Sequence, residues 1–195
     1  MKRFFDITFS FIGLIVLTPF FLIISIWILL DSRGGIFYRQ TRVGKNGVDF
    51  RLWKFRSMRP DADKKGLLTV GGRDPRITRS GYFLRKTKMD ELPQLINVLF
   101  GDMSFVGPRP EVRKYVDLYN AEQKKVLNVR PGITDLASLE YFEESELLAK
   151  STDPEKTYIE EIMPAKLKLN LQYINKANFG TDLRMIFRTI GRIFK

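Results

Sequence analysis

The sequence predicts an α+β fold, mainly helical, with an N-terminal kinked re-entrant membrane helix, amphipathic interfacial helices and a small β-hairpin. Three observations predict it. Residues 7 to 30 are almost wholly apolar and uncharged. Two short runs, Ile36 to Gln40 and Val48 to Lys54, flank the turn Gly44-Lys45-Asn46-Gly47 and read as paired strands. After Gly180, Leu183, Ile186, Phe187, Ile190, Ile193 and Phe194 share one helical face while Arg184, Arg188, Arg192 and Lys195 share another.

In the first segment, length alone reads as a simple transmembrane span. Two details favour a dip into one leaflet. Thr18-Pro19 falls mid-run, where the proline removes a backbone hydrogen bond and kinks the helix, and each arm is then about 16 to 18 Å long, too short to cross. Both flanks are also cationic, with Lys2 and Arg3 before the run and Arg33, Arg39, Arg42 and Lys45 after it. The expected division is residues 1–32 as the re-entrant helix and 33–195 as one domain on the cytoplasmic side, ending in a membrane-associated amphipathic helix. No small-residue cleavage pattern follows the apolar run, so a signal peptide is not expected.

Residues 31 to 59 carry eight Lys or Arg against two Asp, interleaved with aromatics, a surface suited to anionic lipid or to plain solvent. Residues 60 to 81 show no helical period and read as a long connection, of the kind that is often functional. Leu92, Leu95, Ile96 and Leu99 set a helix that starts near Met89, has Pro93 in its first turn and ends at Gly101. A second helix is expected over 111–128. The acidic stretch 140–161 is expected to be helical and solvated.

The chain has a net charge of +11 and contains neither Cys nor His. The charge points to anionic partners. The missing residues exclude disulfides, thiol nucleophiles and the imidazole base, so chemistry falls to carboxylates, Lys, Arg, Tyr or hydroxyls. No nucleic-acid motif accompanies the charge, and nucleic acid is not expected as a partner. A Walker A loop and a G-x-G-x-x-G run are both absent from the sequence.

Asp90 and Glu91 stand at the predicted helix start, where backbone N–H groups favour ionised carboxylates; a capping pair would look the same. Their company separates the two readings. Arg79, Arg85, Lys86 and Lys88 precede them, and Gly107-Pro108-Arg109-Pro110 follows the helix. Cations can hold a diphosphate while one carboxylate carries Mg²⁺ and the other attacks phosphorus. Alternatively both carboxylates bind metal and the acceptor attacks directly. Arg109 sits on a stretch stiffened by Pro108 and Pro110, either a rigid turn or a preorganised anion contact.

Several ordered runs resemble the bacterial sugar transferases, in particular the small monotopic phosphoglycosyl transferases. They are Lys2-Arg3 with Asp6, Thr18-Pro19, Phe37-Tyr38-Arg39-Gln40, Lys54-Phe55-Arg56-Ser57-Met58, Leu84 to Leu95, Gly101 to Pro110, and Arg130-Pro131-Gly132-Ile133-Thr134. The resemblance implies a re-entrant helix kinked at Thr18 and Pro19, Mg²⁺, a UDP-sugar donor taken as N-acetylated, undecaprenyl phosphate as acceptor, and the bacterial inner membrane as location. It also implies Asp90 as nucleophile, Glu91 as catalytic partner and metal ligand, and substrate contacts from Arg85, Lys54, Arg109, Pro108 and Pro110. UMP and a polyprenyl-diphospho-sugar would be the products, in the first membrane step of glycoconjugate or polysaccharide biosynthesis. A homodimer is compatible with the sequence but not specified by it. The chain departs from the family at Thr18, where serine is common, and at Asp135 to Glu140, where many members carry Gly and an Asn-Gly-Arg run.

Overall fold

The computed structural model describes residues 2–62, 66–71 and 74–193. Helix α1 (Lys2–Asp31) is one continuous helix with Pro19 inside it. It is the one helix among the described residues long and apolar enough to cross a membrane, and only 11% of its most apolar window is buried. Its few hydroxyls turn back onto their own helix: Thr18 Oγ1 donates to the Leu14 carbonyl at 2.8 Å and Ser25 Oγ to that of Phe21 at 2.6 Å. Polar side chains are thereby satisfied without water.

Strands β1 (Phe37–Val43) and β2 (Asp49–Phe55) form the expected antiparallel hairpin, with Phe37 opposite Phe55 and Val43 opposite Asp49. A 3₁₀ turn at Lys45–Gly47 joins them, and Asn46 and Gly47 supply the positive φ it needs. Beyond residue 55 the chain is irregular until α2 (Arg79–Lys86), which starts at an N-cap where Thr78 accepts from the Gly81 N–H. Residues 63–65 and 72–73 of the expected long connection lie outside the described residues. The connection is shorter than predicted because its last residues belong to α2.

The helix at the dyad is split. Met89–Glu91 form a 3₁₀ turn, entered through Lys88 in the left-handed region, and α3 (Gln94–Phe100) follows Pro93. Strand β3 (Ser104–Val106) comes next, followed by α4 (Arg113–Val116) and, after a 3₁₀ turn over Gln123–Asn128, by β4 (Gly132–Thr134). β3 and β4 pair in parallel, with Ser104 opposite Gly132. The single helix expected over 111–128 is therefore broken. Its cause is local: Asn120 and Gln123 cap each other reciprocally, N–H to side-chain oxygen at 2.9 Å both ways, which restarts the chain.

Three short helices, α5 (Leu136–Glu140), α6 (Glu144–Ala149) and α7 (Pro154–Thr157), lead through a π turn at Tyr158–Ile162 into α8 (Met163–Lys176) and α9 (Phe179–Ile193). The acidic stretch is not simply solvated. Leu148 and Tyr158 are buried in a core with Val43, Val112, Tyr115 and Leu167, and Glu144 faces the cavity, paired with Lys166. On α9, Met185 and Ile186 pack on Val106 and Tyr173, whereas Phe187 and Ile190 stay exposed. Its cations are partly engaged: Arg188 reaches Glu140 at 3.6 Å and Arg192 lies over the Phe142 ring. Phe194 and Lys195 lie outside the described residues.

Both ends of α1 are fastened to this body. At the start, Arg3 donates to the carbonyls of Val98 and Leu99 at 2.5 and 2.8 Å, a cationic cap on the C-terminus of α3. Asp6 accepts from Ser104 Oγ and the Phe105 N–H, and Lys2 pairs with Asp182. At the far end, Asp31 accepts from the N–H and hydroxyl of Ser80, and Arg56 donates to the carbonyls of Ser32, Arg33 and Gly35. Between them, Gly13 faces Leu95 and Ile24 and Ile28 pack on Phe55 and Leu84.

Candidate active site

Asp90 and Glu91 occupy the 3₁₀ turn that links α2 to α3, in the wall of a cavity of about 640 Å³. Lys54 enters it from β2, Arg85 and Lys88 from α2 and its exit, and Arg109 from the segment after β3. The hairpin orients Lys54 inward because it shares the inner face of β2 with buried Leu52. Its Nζ donates to Glu91 Oε1 at 2.9 Å. Arg109 holds Glu91 through both guanidinium arms, Nη1 reaching Oε2 at 3.1 Å and Nη2 reaching Oε1.

The two neighbouring carboxylates therefore differ. Burial pushes Glu91 up, but Arg109, Lys54 and Lys88 together outweigh it and hold the carboxyl well below the usual range. Asp90 is 4% exposed and accepts no side-chain hydrogen bond among the described residues. Burial pushes its pKa up, with the negative charge of Glu91 adding to the rise and Lys54 and Arg85 opposing it. The sequence reading expected both carboxylates to stay ionised at a helix start. That expectation holds for Glu91 and is modified for Asp90, because desolvation inside the cavity acts on it more strongly than the short turn does. Burial also lowers Lys54 and Lys88, against the pull of Glu91.

Arg109 is fixed from behind. Its backbone N–H donates to Asp135 Oδ2 at 2.7 Å, and the Pro110 carbonyl accepts from Arg42 at 3.2 Å. Arg42 is itself paired with Glu111 at 2.8 Å, and Glu111 also accepts from the Tyr158 hydroxyl. Pro110 lines the cavity, whereas Pro108 does not; the Pro108 carbonyl instead accepts from the Gly132 N–H at 3.0 Å and so holds the segment to β4. Arg85 donates to Thr69 at 2.9 Å on the irregular connection. Arg76 organises that connection, donating to the carbonyls of Ala62, Gly66 and Leu68. Thr18 and Pro19 lie on α1 outside the cavity wall.

Sequence reasoning brought together Asp90, Glu91, Lys54, Arg85 and Arg109. It missed Asp135, Glu111 and Arg42 as supports. The signal for Asp135 was present as an Asp-x-x-Ser N-cap pattern, since Asp135 accepts from the Ser138 N–H. Mg²⁺ takes one or two carboxylates and fills its octahedron with water and phosphate oxygens. The dyad fits that sparse use, because Asp90 is unengaged and Glu91 Oε2 accepts a single bond. Among the described residues no group of three or more acidic side chains could hold a metal unaided.

The family described as bacterial sugar transferase matches residues 1–195. The exopolysaccharide production protein PSS of Rhizobium leguminosarum bv. phaseoli is 40% identical over 97% of this chain and 93% of its own length. The UDP-N-acetylgalactosamine-undecaprenyl-phosphate N-acetylgalactosaminephosphotransferase of Aeromonas hydrophila is 36% identical over 99% of this chain. The UDP-glucose:undecaprenyl-phosphate glucose-1-phosphate transferase of Escherichia coli (strain K12) is 34% identical over 100% of it. Of these last two proteins the chain spans only 43% and 40% of the length. A match over every residue, with a carboxylate dyad set among cations, establishes that this chain belongs to the bacterial sugar transferase family.

Proposed function

We propose that the protein transfers a sugar 1-phosphate from a UDP-sugar to undecaprenyl phosphate, releasing UMP, through a covalent intermediate on Asp90. One observation carries this reading: a buried carboxylate without a hydrogen-bond partner among the described residues stands beside one that is locked in ion pairs, and both face a cationic cavity. A carboxylate held by Arg109 and Lys54 is stabilised and a poor nucleophile; an unpaired one is available. In the first step an Asp90 oxygen bonds to the sugar-bearing phosphorus and the bond to the bridging oxygen breaks, so UMP departs. In the second, an oxygen of undecaprenyl phosphate bonds to the same phosphorus and Asp90 leaves unchanged.

Arg109, Lys54, Lys88 and Arg85 bind and orient the diphosphate, and their charge offsets what accumulates on the leaving phosphate. Glu91 would hold Mg²⁺, which would supply positive charge to offset that of the donor phosphates. Relatives named for UDP-N-acetylgalactosamine and for UDP-glucose support a UDP-hexose donor. The names that include undecaprenyl phosphate support that acceptor.

For the membrane, we read α1 as re-entrant, kinked at Thr18-Pro19, with the catalytic body on the cytoplasmic face of the bacterial inner membrane. One polar body grips both ends of the helix, at Lys2, Arg3 and Asp6 and again at Asp31. A span would place about 30 Å of hydrocarbon between those grips, where the body's irregular backbone could not be satisfied. The test of the chemistry is Asp90→Asn, which preserves size and removes the nucleophile. UMP release from UDP-sugar with undecaprenyl phosphate should fall to background; substantial turnover would reject the role of Asp90.

A further inference from the structure

The cavity extends past the dyad to a region that the phosphate chemistry does not use. There α5 packs on α8, and two polar atoms are buried without a hydrogen-bond partner among the described residues: Ser138 Oγ and Asn170 Oδ1. Both residues line the cavity, and Asn170 is 4% exposed. Its Nδ2 makes no hydrogen bond among the described residues either. A buried amide oxygen left unpaired opposes folding, so its retention in a cavity wall points to a ligand that completes the pairing.

The place is tied to the reacting centre by hydrogen bonds. Asp135 takes the Arg109 N–H on one oxygen and the Ser138 N–H on the other, and Arg109 holds Glu91. Ser138 therefore stands one shared carboxylate away from the arginine that faces the phosphates. The chemistry of the two groups selects the occupant. A phosphate would prefer the four cations at the dyad, and Lys166, the cation on the α8 wall, is already paired with Glu144 at 2.5 Å. An isoprenoid tail offers nothing to an amide or a hydroxyl. A flat pyrimidine edge would pair with the Asn170 carboxamide alone and leave the Ser138 hydroxyl unmet, because the two groups come from different helices. A ring of hydroxyls, each able to donate and accept in its own direction, suits them.

Resting on the transfer reading above, we infer that Ser138 and Asn170 form the subsite for the glycosyl hydroxyls of the donor, and that Asn170 Oδ1 accepts from one of them. The pair thereby sets which sugar is moved.

The test uses the full chain in detergent or nanodiscs, with Asn170→Ala and Asn170→Leu, the second close to asparagine in volume. Binding of UDP-hexoses and of their monodeoxy analogues is measured by calorimetry in the unreactive Asp90→Asn background, so that the result does not depend on turnover. Both variants should weaken the preferred UDP-hexose about tenfold, the scale of one hydrogen bond. That loss should vanish for the one analogue lacking the accepted hydroxyl, while UMP binds as before. Thermal stability of Asn170→Leu should be unchanged or higher, since no internal bond is lost. Equal losses across all analogues, a matching loss for UMP, unchanged binding, or a lowered melting temperature would each overturn the subsite. If the analogues discriminate as expected but Asp90-intact enzyme releases no UMP, the transfer reading falls and the subsite stands.

Discussion

Among the cations around Asp90, Lys54 lowers its pKa most, and burial has already moved that pKa up from the ordinary carboxylate value. Replacing Lys54 by methionine removes this opposing charge, so the pKa rises further. In the proposed mechanism Asp90 must be ionised to attack, so activity should be lost as pH falls through its pKa. The acid limb of the kcat/KM profile should therefore lie above the usual carboxylate range in the wild type and move to still higher pH in Lys54→Met. A limb that stays or moves down would contradict the electrostatic assignment. At this scale the sequence was informative about identity and less so about environment. Adjacent Asp and Glu amid basic residues were visible, but which carboxylate is unpaired depends on where Lys54 and Arg109 arrive from, and that is set 37 and 18 residues away. Asp135 shows the same limit: its capping pattern is local, while its hold on Arg109 is not.

Helix α2 carries Arg85 to the cavity, and its position depends on a backbone contact at Gly81. A Cβ there would stand 1.9 Å from the Ser57 carbonyl oxygen, which itself accepts from the Thr78 N–H. Gly81→Ala must therefore push α2 off the chain after β2, and we expect a loss of about 3 kcal/mol or more in stability with a matching loss of Arg85-dependent activity. A denaturation midpoint and turnover equal to the wild type would contradict this packing. Elements with strong local periodicity were legible: the hairpin from its alternation, α3 from its apolar spacing, α9 from its two faces. Others were hidden for identifiable reasons. The run Lys166-Leu167-Lys168-Leu169-Asn170-Leu171 alternates with the period of a strand yet lies in α8, because Leu167 is drawn into the core formed with Tyr158 and Met163. The β3–β4 pair is three residues a side and joins segments far apart, which no local pattern reveals.

For the molecule as a whole, both ends of α1 are attached to one body, which on the re-entrant reading puts them on the same side of the membrane. A fluorogenic tag fused before Met1 and a single cysteine placed at Lys45, the only cysteine in an otherwise cysteine-free chain, should both be labelled from the cytoplasmic side alone. Labelling of the tag from the opposite side would restore an ordinary span. The apolar length of α1 and its cationic flanks were plain in the sequence, whereas the grips by Asp182, Ser104 and Ser80 were not, since they come from distant turns. On the proposed mechanism one cavity would receive a water-soluble nucleotide sugar and a lipid phosphate in succession, which a covalent relay on Asp90 would permit. Intact-protein and peptide mass spectrometry of enzyme mixed with its UDP-sugar and no acceptor, quenched to preserve acyl phosphates, tests that relay most directly. The account predicts a mass increase of one hexose phosphate located on Asp90 and discharged when undecaprenyl phosphate is added; an unmodified Asp90 in enzyme that turns over normally would contradict it.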